Sequence, residues 1–424
     1  MRMNANLKIL LLAVWLLLAQ PVAWAQPQTQ REETGEGFLV TEGFEEVNQW
    51  LTELVEMEKT AGISALVLRN GVPVLWVAHG VQELGEDTPL GIDSIFRIYS
   101  MTKAIASVAA MQLVEEGKMS LDDPIANYLP EWEKVRVLVS GSDSNKRKIK
   151  TESPFDPILV RHLLRHTSGL PYAEWTPGPL KDLFAKELKR GQVRNLKDLS
   201  QRLAKLPLAH HPGASWTYGR STDVLGRLIE VVAKKPFEKV LEDRIFDPLE
   251  MDDTAFHVPA SKWSRLVAVH STRPDGRVGP KLPGYETVYK KTPRAPSGGG
   301  GLVSTLKDYG RFLQMLLQQG EWEGVQIIKP ETLAGMIDPE PSLALPNPFW
   351  ARFGLGFELN GFNRKTGLPD TYGWSGMART FYRVFPGHDT AAIVFTQAVP
   401  FSPEPGESFF HQVGEALESL VDED

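Results

Sequence analysis

The sequence predicts an α+β fold, in which an antiparallel sheet is flanked by helices and a large helical insert separates the two halves of the α/β part. Two apolar runs flank Asn70-Gly71, a strong hairpin signal because both turn positions need a positive φ. Residues from about 101 to 319 are mostly helical in pattern, and strand-like segments return only after that. We therefore expect an α/β part from about 40–100 and 320–424, with the helical part inserted between them.

The pattern of apolar residues predicts each element in turn. Helices carry apolar residues three or four positions apart, and strands are short apolar runs bounded by turn residues. In chain order we predict helix Phe44–Met57, strands Ile63–Leu68 and Val72–Val77, a buried helix that ends at Gly117, helices Ile158–Arg165, Leu180–Lys189, Leu196–Leu206, Thr222–Ala233, Phe237–Phe246 and Leu306–Gln318, strands Gly354–Leu359, Thr380–Phe385 and Ala391–Gln397, and helix Phe409–Val421. The two parts meet near residue 100, and clefts form at such junctions.

Residues 1–25 have the pattern of a secretory signal peptide. Arg2 and Lys8 form a basic start, an apolar run follows, and Ala23-Trp24-Ala25 places small residues where a signal peptidase cleaves. The apolar run is too short to span a membrane comfortably. We expect cleavage near Ala25, a periplasmic or secreted protein, and no stable membrane anchor afterwards. The polar segment 26–39 is expected to be disordered.

Composition excludes several classes of function. The formal net charge is −7, the isoelectric point is near 5.8 and no large basic block is present, so nucleic acid is not an expected partner. The chain has no Cys, which rules out disulfides and thiolate metal sites. His162 and His166 have the spacing of zinc ligands on one helix face, but no third ligand accompanies them. We therefore expect neither a metal nor an organic cofactor.

Two Ser-x-x-Lys tetrads occur in the chain. The first, Ser100 to Lys103, opens an apolar, Ala-rich run. If Ser100 lies in the first turn of that helix, Lys103 follows one turn later on the same face, so the two side-chain ends can meet. A Ser hydroxyl becomes an effective nucleophile only when a neighbour takes its proton. The second tetrad, Ser304 to Lys307, follows a glycine run, and we interpret Ser304 as the N-cap of the next helix.

Several ordered motifs together resemble those of the serine β-lactamase and penicillin-binding-protein-like hydrolases. The most similar branch contains the class C β-lactamases and the family VIII carboxylesterases. The resemblance covers about residues 40–420 and rests on Ser100-Met101-Thr102-Lys103, His166-Thr167-Ser168-Gly169-Leu170, the segment around Tyr218, Gly298–Leu302 and Trp374-Ser375-Gly376. It implies a β-lactamase/transpeptidase-like catalytic domain over residues 40–424, with the active site at the junction of its two parts.

The resemblance also implies a role for each motif residue. Ser100 would be the acylated nucleophile, Lys103 would accept or relay its proton, and Tyr218 would be the partner acid or base near the leaving group. The backbone N–H groups of Ser100 and Met377 would form the oxyanion hole. Contacts with the substrate are expected from Trp374, Ser375, Gly376 and Arg379.

Two departures from the family pattern bear on the substrate. The Tyr-x-Asn motif of the family is Tyr218-Gly219-Arg220 here, and Trp374 replaces the Lys that binds a substrate carboxylate. Both differences favour a neutral ester over a lactam, so we expect a carboxylesterase that acts on short-chain esters through an acyl-serine. Arg379 offers a cation near the site, so a substrate that carries a carboxylate stays an alternative.

Other functions of the same scaffold stay open at this point. A β-lactamase or a D-Ala-D-Ala carboxypeptidase would use the same residues to cleave cell-wall-type amides. An acyltransferase would pass the acyl group to an alcohol instead of water. A non-catalytic binding protein is a third class, against which the retained Ser100, Lys103 and Tyr218 argue. The expected partner is a small-molecule ester or amide, and the oligomeric state is not indicated.

Overall fold

The structure is a computed structural model that describes residues 39–139, 149–173, 178–189, 191–338, 352–363 and 365–422. The predicted signal peptide lies outside these residues, and so does the predicted disordered segment except for Leu39, which belongs to the first strand. Both assignments stay predictions. Within the described ranges, no helix has the length and apolar character needed to cross a membrane.

Strands occur in both halves of the described chain, and many of them are short. They are β1 (Leu39–Val40), β2 (Gly62–Arg69), β3 (Val72–Gly80), β4 (Phe96–Arg97), β5 (Val137–Leu138), β6 (Thr151–Glu152), β7 (His270–Thr272), β8 (Val278–Lys281), β9 (Val303–Ser304), β10 (Glu321–Trp322), β11 (Val325–Gln326), β12 (Arg352–Phe353), β13 (Glu358–Asn360), β14 (Thr371–Gly376), β15 (Thr380–Phe385), β16 (Thr390–Phe395) and β17 (Ala398–Val399).

The helices lie mainly between the two groups of long strands. They are α1 (Glu45–Glu56), α2 (Thr102–Glu115), α3 (Val160–Leu164), α4 (Lys181–Glu187), α5 (Leu196–Leu203), α6 (Ser221–Ala233), α7 (Phe237–Leu241), α8 (Tyr285–Val288), α9 (Leu306–Leu317), α10 (Pro330–Met336) and α11 (Gly406–Asp422). The predicted helix Phe237–Phe246 is α7 followed by one π-helical turn.

One antiparallel sheet joins the two ends of the chain, which confirms the predicted α+β fold. Its strand order is β1-β3-β2-β16-β15-β14-β13-β12. The join is the pairing of β2 with β16, in which Ser64 lies opposite Phe395 and Arg69 opposite Thr390. The predicted hairpin between β2 and β3 is also confirmed, since Asn70 has a φ of 51° and Gly71 a φ of 77°.

The sheet separates two apolar layers. Leu66 and Leu68 of β2 belong to the layer that contains α2, whereas Ile63 and Ala65 face the layer formed with α1 and α11. This division follows from the alternation of side chains along a strand. Every residue of α2 from Thr102 to Leu113 is buried, so this helix runs through the interior and brings its N-terminal end to the centre of the molecule.

One predicted helix start is wrong. Ser304 does not cap α9, because it belongs to β9, and the N-cap is Thr305, whose hydroxyl accepts a hydrogen bond of 3.1 Å from the N–H of Asp308. The Ser304 hydroxyl instead lies 2.8 Å from that of Thr254. Ser and Thr are both good N-cap residues, so the sequence alone did not separate two adjacent candidates.

Candidate active site

Ser100 lies at a turn between a strand and a buried helix. After β4 the chain forms a single 3₁₀ turn, Tyr99–Met101, and α2 begins at Thr102. Ser100 therefore precedes the α-helix instead of lying in its first turn. Tyr99 has a φ of 42°, in the left-handed region that residues other than Gly rarely adopt. This turn places Ser100 at the N-terminal end of α2, where the helix dipole favours negative charge.

Lys103 is the basic group beside the Ser100 hydroxyl. Its side chain is 1% exposed, and its Nζ lies 3.2 Å from Ser100 Oγ. Nζ also donates a hydrogen bond of 2.5 Å to the carbonyl oxygen of Gly299 and lies 3.4 Å from the hydroxyl of Tyr172. These contacts hold the amine in hydrogen-bonding distance of Ser100, where it can receive the hydroxyl proton.

Tyr218 completes the group of three predicted catalytic residues. Its ring centre lies 4.5 Å from Lys103 Nζ, a distance at which a ring face attracts a cation. Trp374 Nε1 donates a hydrogen bond of 3.3 Å to the Tyr218 hydroxyl. The tertiary fold thus brings together four residues that are as much as 274 positions apart in sequence (374 − 100).

Tyr172 and Gly299 also contact Lys103, although neither was predicted to be a catalytic residue. Tyr172 follows the His166–Pro171 segment, and Gly299 lies within the motif Gly298–Leu302. A Cβ at position 299 would lie 2.9 Å from the Tyr172 hydroxyl, so only Gly fits between Tyr172 and the Lys103 amine without a shift. The glycine run was the signal that could have indicated this close approach.

A buried carboxylate holds the peptide that contacts Lys103. Asp223, which is 1% exposed, accepts hydrogen bonds from the Ser297 hydroxyl at 2.5 Å and from the Gly299 N–H at 3.1 Å. Its other oxygen accepts a hydrogen bond of 3.3 Å from Arg220 Nη1. Because the carbonyl of the same Gly299 accepts from Lys103, Asp223 fixes the position of the amine through one residue of backbone.

The edge of the predicted oxyanion hole is set by Gly376. A Cβ at this position would lie 2.5 Å from the Ile98 carbonyl oxygen and 2.2 Å from Thr380 Oγ1, so no side chain fits there. The end of β14 therefore packs directly against the backbone that leads into Ser100. Met377 is the next residue, and its predicted role as a backbone donor stays a prediction.

Ser375 and Arg379 have other surroundings. Side chains alternate along β14, so Ser375 lies on the sheet face of Phe381, opposite the face of Trp374, and both Ser375 and Phe381 line a cavity of about 470 Å³. The Arg379 guanidinium donates to Thr272 Oγ1 at 2.8 Å and to the Pro400 carbonyl at 3.1 Å. Their assignment as substrate contacts stays a prediction that these contacts do not favour.

His166 is buried close to Lys103 and Tyr218. His166 is 1% exposed, and burial, together with the positive charge of Lys103, lowers its pKa well below the usual value. His166 is therefore neutral, and its ring centre lies 5.0 Å from that of Tyr218. Within the part of the chain that the structure describes, no three His, Cys, Asp or Glu side chains form a cluster able to hold a metal ion.

Comparison with known proteins agrees with this geometry. The model of the Beta-lactamase family matches residues 47–411. The chain belongs to this family. An uncharacterized protein of Mycobacterium tuberculosis is 32% identical over 335 residues, which are 76% of this chain and 82% of that protein. The lovastatin esterase of Penicillium rubens is 30% identical over 317 residues, 69% of this chain and 74% of the esterase.

The fold resembles that of a solved hydrolase. EstCE1, a hydrolase with promiscuous acyltransferase activity, superposes with a TM-score of 0.73 at 23% identity, covering 88% of this chain and 98% of EstCE1. At this identity the likeness shows the fold. The predicted resemblance and fold are confirmed, and the family and its esterase relatives identify the chain as an enzyme of the serine hydrolase type.

Proposed function

We propose that this protein is a carboxylesterase that cleaves short-chain esters through an acyl-Ser100 intermediate. The observation that carries the proposal is the 3.2 Å distance between Lys103 Nζ and Ser100 Oγ at the N-terminal end of a buried helix. A nucleophile and its base within hydrogen-bonding distance are the minimum that nucleophilic catalysis requires.

The proposed reaction has two steps. In the first, Ser100 Oγ bonds to the ester carbonyl carbon and Lys103 receives its proton, while Tyr218 protonates the departing alkoxide as the ester C–O bond breaks. In the second, water bonds to the same carbon and gives one proton to the Lys103–Tyr218 pair, and the pair returns one proton to Ser100 Oγ as its bond to the carbon breaks and the acid leaves. The N–H groups of Ser100 and Met377 would stabilise the oxyanion in both steps.

Two contacts support an ester over a lactam. Arg220 stands where the family has the Asn amide, and its guanidinium is bonded to Asp223. Trp374 stands where the family has the Lys that binds a carboxylate, and its indole N–H is bonded to Tyr218. The leaving-group side of the site therefore offers aromatic surface in place of a cation. The lovastatin esterase relative supports the same substrate class.

Transfer to an alcohol is the second candidate function. EstCE1 has both a hydrolase and an acyltransferase activity, and the two reactions share the acyl-serine and differ only in the second nucleophile. Adding a short-chain alcohol to an ester assay separates them. A transferase would form the new ester in excess of the free acid.

The proposal is tested by comparing two chromogenic substrates. We expect turnover of p-nitrophenyl butyrate that Ser100→Ala abolishes, and nitrocefin turnover at least about 100-fold slower, since the groups that bind a lactam are replaced. Labelling of Ser100 by a fluorophosphonate, located by peptide mass spectrometry, provides the second readout. Nitrocefin turnover that equals ester turnover would favour a β-lactamase, and an unlabelled Ser100 in folded protein would favour a binding protein.

We also propose that the protein is exported after cleavage behind Ala25. When the full chain is expressed in a Gram-negative bacterial host, we expect the periplasmic fraction to contain a protein that begins at Gln26, as measured by intact mass. Ala25→Asp, which places a charge where a small residue is required, should leave the precursor uncleaved. A parent protein that keeps residues 1–25 would contradict the proposal.

A further inference from the structure

A cavity lies beside Tyr172, one of the residues that contact Lys103. It has a volume of about 730 Å³ and is bounded by residues of the segments 188–199 and 287–297, with Arg220 and Asp223 at the start of α6. The Arg220 guanidinium carbon lies 4.8 Å from the ring centre of Tyr172, whose hydroxyl is 3.4 Å from Lys103 Nζ. Tyr172 therefore contacts both a residue that lines this cavity and the Lys103 amine.

The charged side chains of the cavity are mostly basic. Arg220, Lys291 and Arg294 line it, and Asp223 is the acidic residue among its lining. Asp223 is buried and forms an ion pair with Arg220, so these two charges offset each other and Lys291 and Arg294 are the remaining cations of the lining. Lys291 and Arg294 are exposed and form no ion pair with any residue in the described ranges.

The rest of the lining includes aliphatic side chains. Leu188, Val193, Leu199 and Val288 contribute apolar surface between the bases. A ligand that matches both features has an aliphatic chain with an anionic end. A carboxylate is the simplest such group, because Arg and Lys donate charge-assisted hydrogen bonds to its oxygens.

The position of the cavity indicates which part of an ester it would receive. Contacts lead from Trp374 through Tyr218 and Tyr172 to Arg220, with 5.3 Å between the first two ring centres and 5.4 Å between the second two. In the proposed mechanism Tyr218 donates a proton to the leaving alcohol, and Trp374 Nε1 contacts the same hydroxyl, which favours the Trp374 side for the alcohol. The side of Tyr172 and Arg220 is then left for the acyl chain.

We propose that this cavity binds the acyl chain of esters whose far end is a carboxylate, so that the preferred substrates are half-esters of aliphatic dicarboxylic acids. The inference rests on the proposed esterase function and specifies its substrate class. Lys291 and Arg294 select the anionic end, and the neutral Trp374 side accepts an uncharged alcohol. The two preferences therefore concern opposite sides of Lys103. The Trp374 side favours a neutral leaving group, and the cavity side favours an anionic acyl end.

The test compares two esters of equal chain length. Mono-4-nitrophenyl adipate has a terminal carboxylate where 4-nitrophenyl hexanoate has a methyl group. We expect kcat/KM of the parent enzyme to favour the adipate by about tenfold, and the preference to fall as salt screens the charges. The double variant Lys291→Gln/Arg294→Gln should lose the preference, and Lys291→Glu/Arg294→Glu should invert it.

Two controls make the outcome specific. Lys134→Gln removes an exposed lysine that does not line the cavity. The ratio of kcat/KM for the adipate to kcat/KM for the hexanoate should equal that of the parent enzyme. The hexanoate ester of 4-hydroxybenzoate has its carboxylate on the leaving group. Its kcat/KM should therefore show no gain over that of phenyl hexanoate. Rates are corrected for the release of 4-nitrophenol in the presence of Ser100→Ala, because carboxylates also catalyse ester cleavage without enzyme.

Equal kcat/KM values for adipate and hexanoate in the parent, or a preference that survives in the double variant, would overturn the inference. Either result would leave the esterase proposal standing, because hexanoate would still be cleaved in a Ser100-dependent reaction. If neither ester is cleaved faster than with Ser100→Ala, both the esterase proposal and this inference are wrong.

Discussion

Lys103→Ala is expected to lower kcat for p-nitrophenyl butyrate by about 10³ and to change KM little. The Lys103 amine lies 3.2 Å from the Ser100 hydroxyl and is 1% exposed, so its loss leaves the nucleophile without its base. The remaining activity would come from binding and from the oxyanion donors. The measurement is steady-state hydrolysis, with circular dichroism to show that the variant is folded.

Two further variants separate proton transfer from charge. Lys103→Arg keeps a positive charge and hydrogen-bond donors but does not give up a proton in the neutral range, so we expect a loss as large as that of Lys103→Ala. Lys307→Ala alters the lysine of the second Ser-x-x-Lys tetrad and should keep the parent activity. A Lys103→Ala enzyme that retains more than about a tenth of the parent kcat would remove Lys103 from the proposed mechanism.

Asp223→Asn is expected to lower kcat by about 10², although Asp223 does not contact the reacting atoms. Its carboxylate accepts hydrogen bonds from Ser297, Gly299 and Arg220, and an amide accepts fewer because half of it is a donor. The Gly299 carbonyl that holds Lys103 at 2.5 Å then loses its fixed position. Asp223 is therefore a positioning residue, and the loss should appear in kcat more than in KM.

The split between kcat and KM distinguishes this role from simple destabilisation. Unfolding lowers the apparent kcat only in proportion to the unfolded fraction, which circular dichroism measures, whereas a displaced Lys103 amine lowers kcat of the folded enzyme at an unchanged KM. The matched control is Asp308→Asn, because Asp308 is likewise buried, lies in the first turn of a helix and accepts hydrogen bonds from Asp253 and Thr254. Equal losses of kcat in the two variants would contradict the positioning role.

The helix and strand positions followed from local patterns in most places. The hairpin at Asn70-Gly71 depends on two adjacent residues that tolerate positive φ, and both have it. The 3.2 Å contact between Ser100 and Lys103 depends on a spacing of three residues, which one helical or 3₁₀ turn converts into contact. Such features involve neighbours in sequence, so a single stretch of chain contains the information that specifies them.

Boundaries and capping residues were less well predicted. Ser304 and Thr305 are adjacent and have similar N-cap propensities, and the pairing of β9 with β4 assigned Ser304 to a strand. Strand β14 was not predicted as a separate element, although Trp374-Ser375-Gly376 was recognised as a motif. This strand is formed by pairing with β15, and no local pattern in Thr371–Gly376 predicts that pairing.

The residues that surround the Lys103 amine were decided by the tertiary structure. Tyr172 is 69 positions from Lys103 and Gly299 is 196 positions away, and Asp223 reaches the amine only through the Gly299 backbone. The sequence by itself predicted Ser100 as the nucleophile and Lys103 as its base, through the family resemblance of its ordered motifs, and it predicted the α+β fold through apolar periodicity. The tertiary structure decided which carbonyl, hydroxyl and carboxylate hold that base, because contacts across such separations depend on how helices and sheet pack.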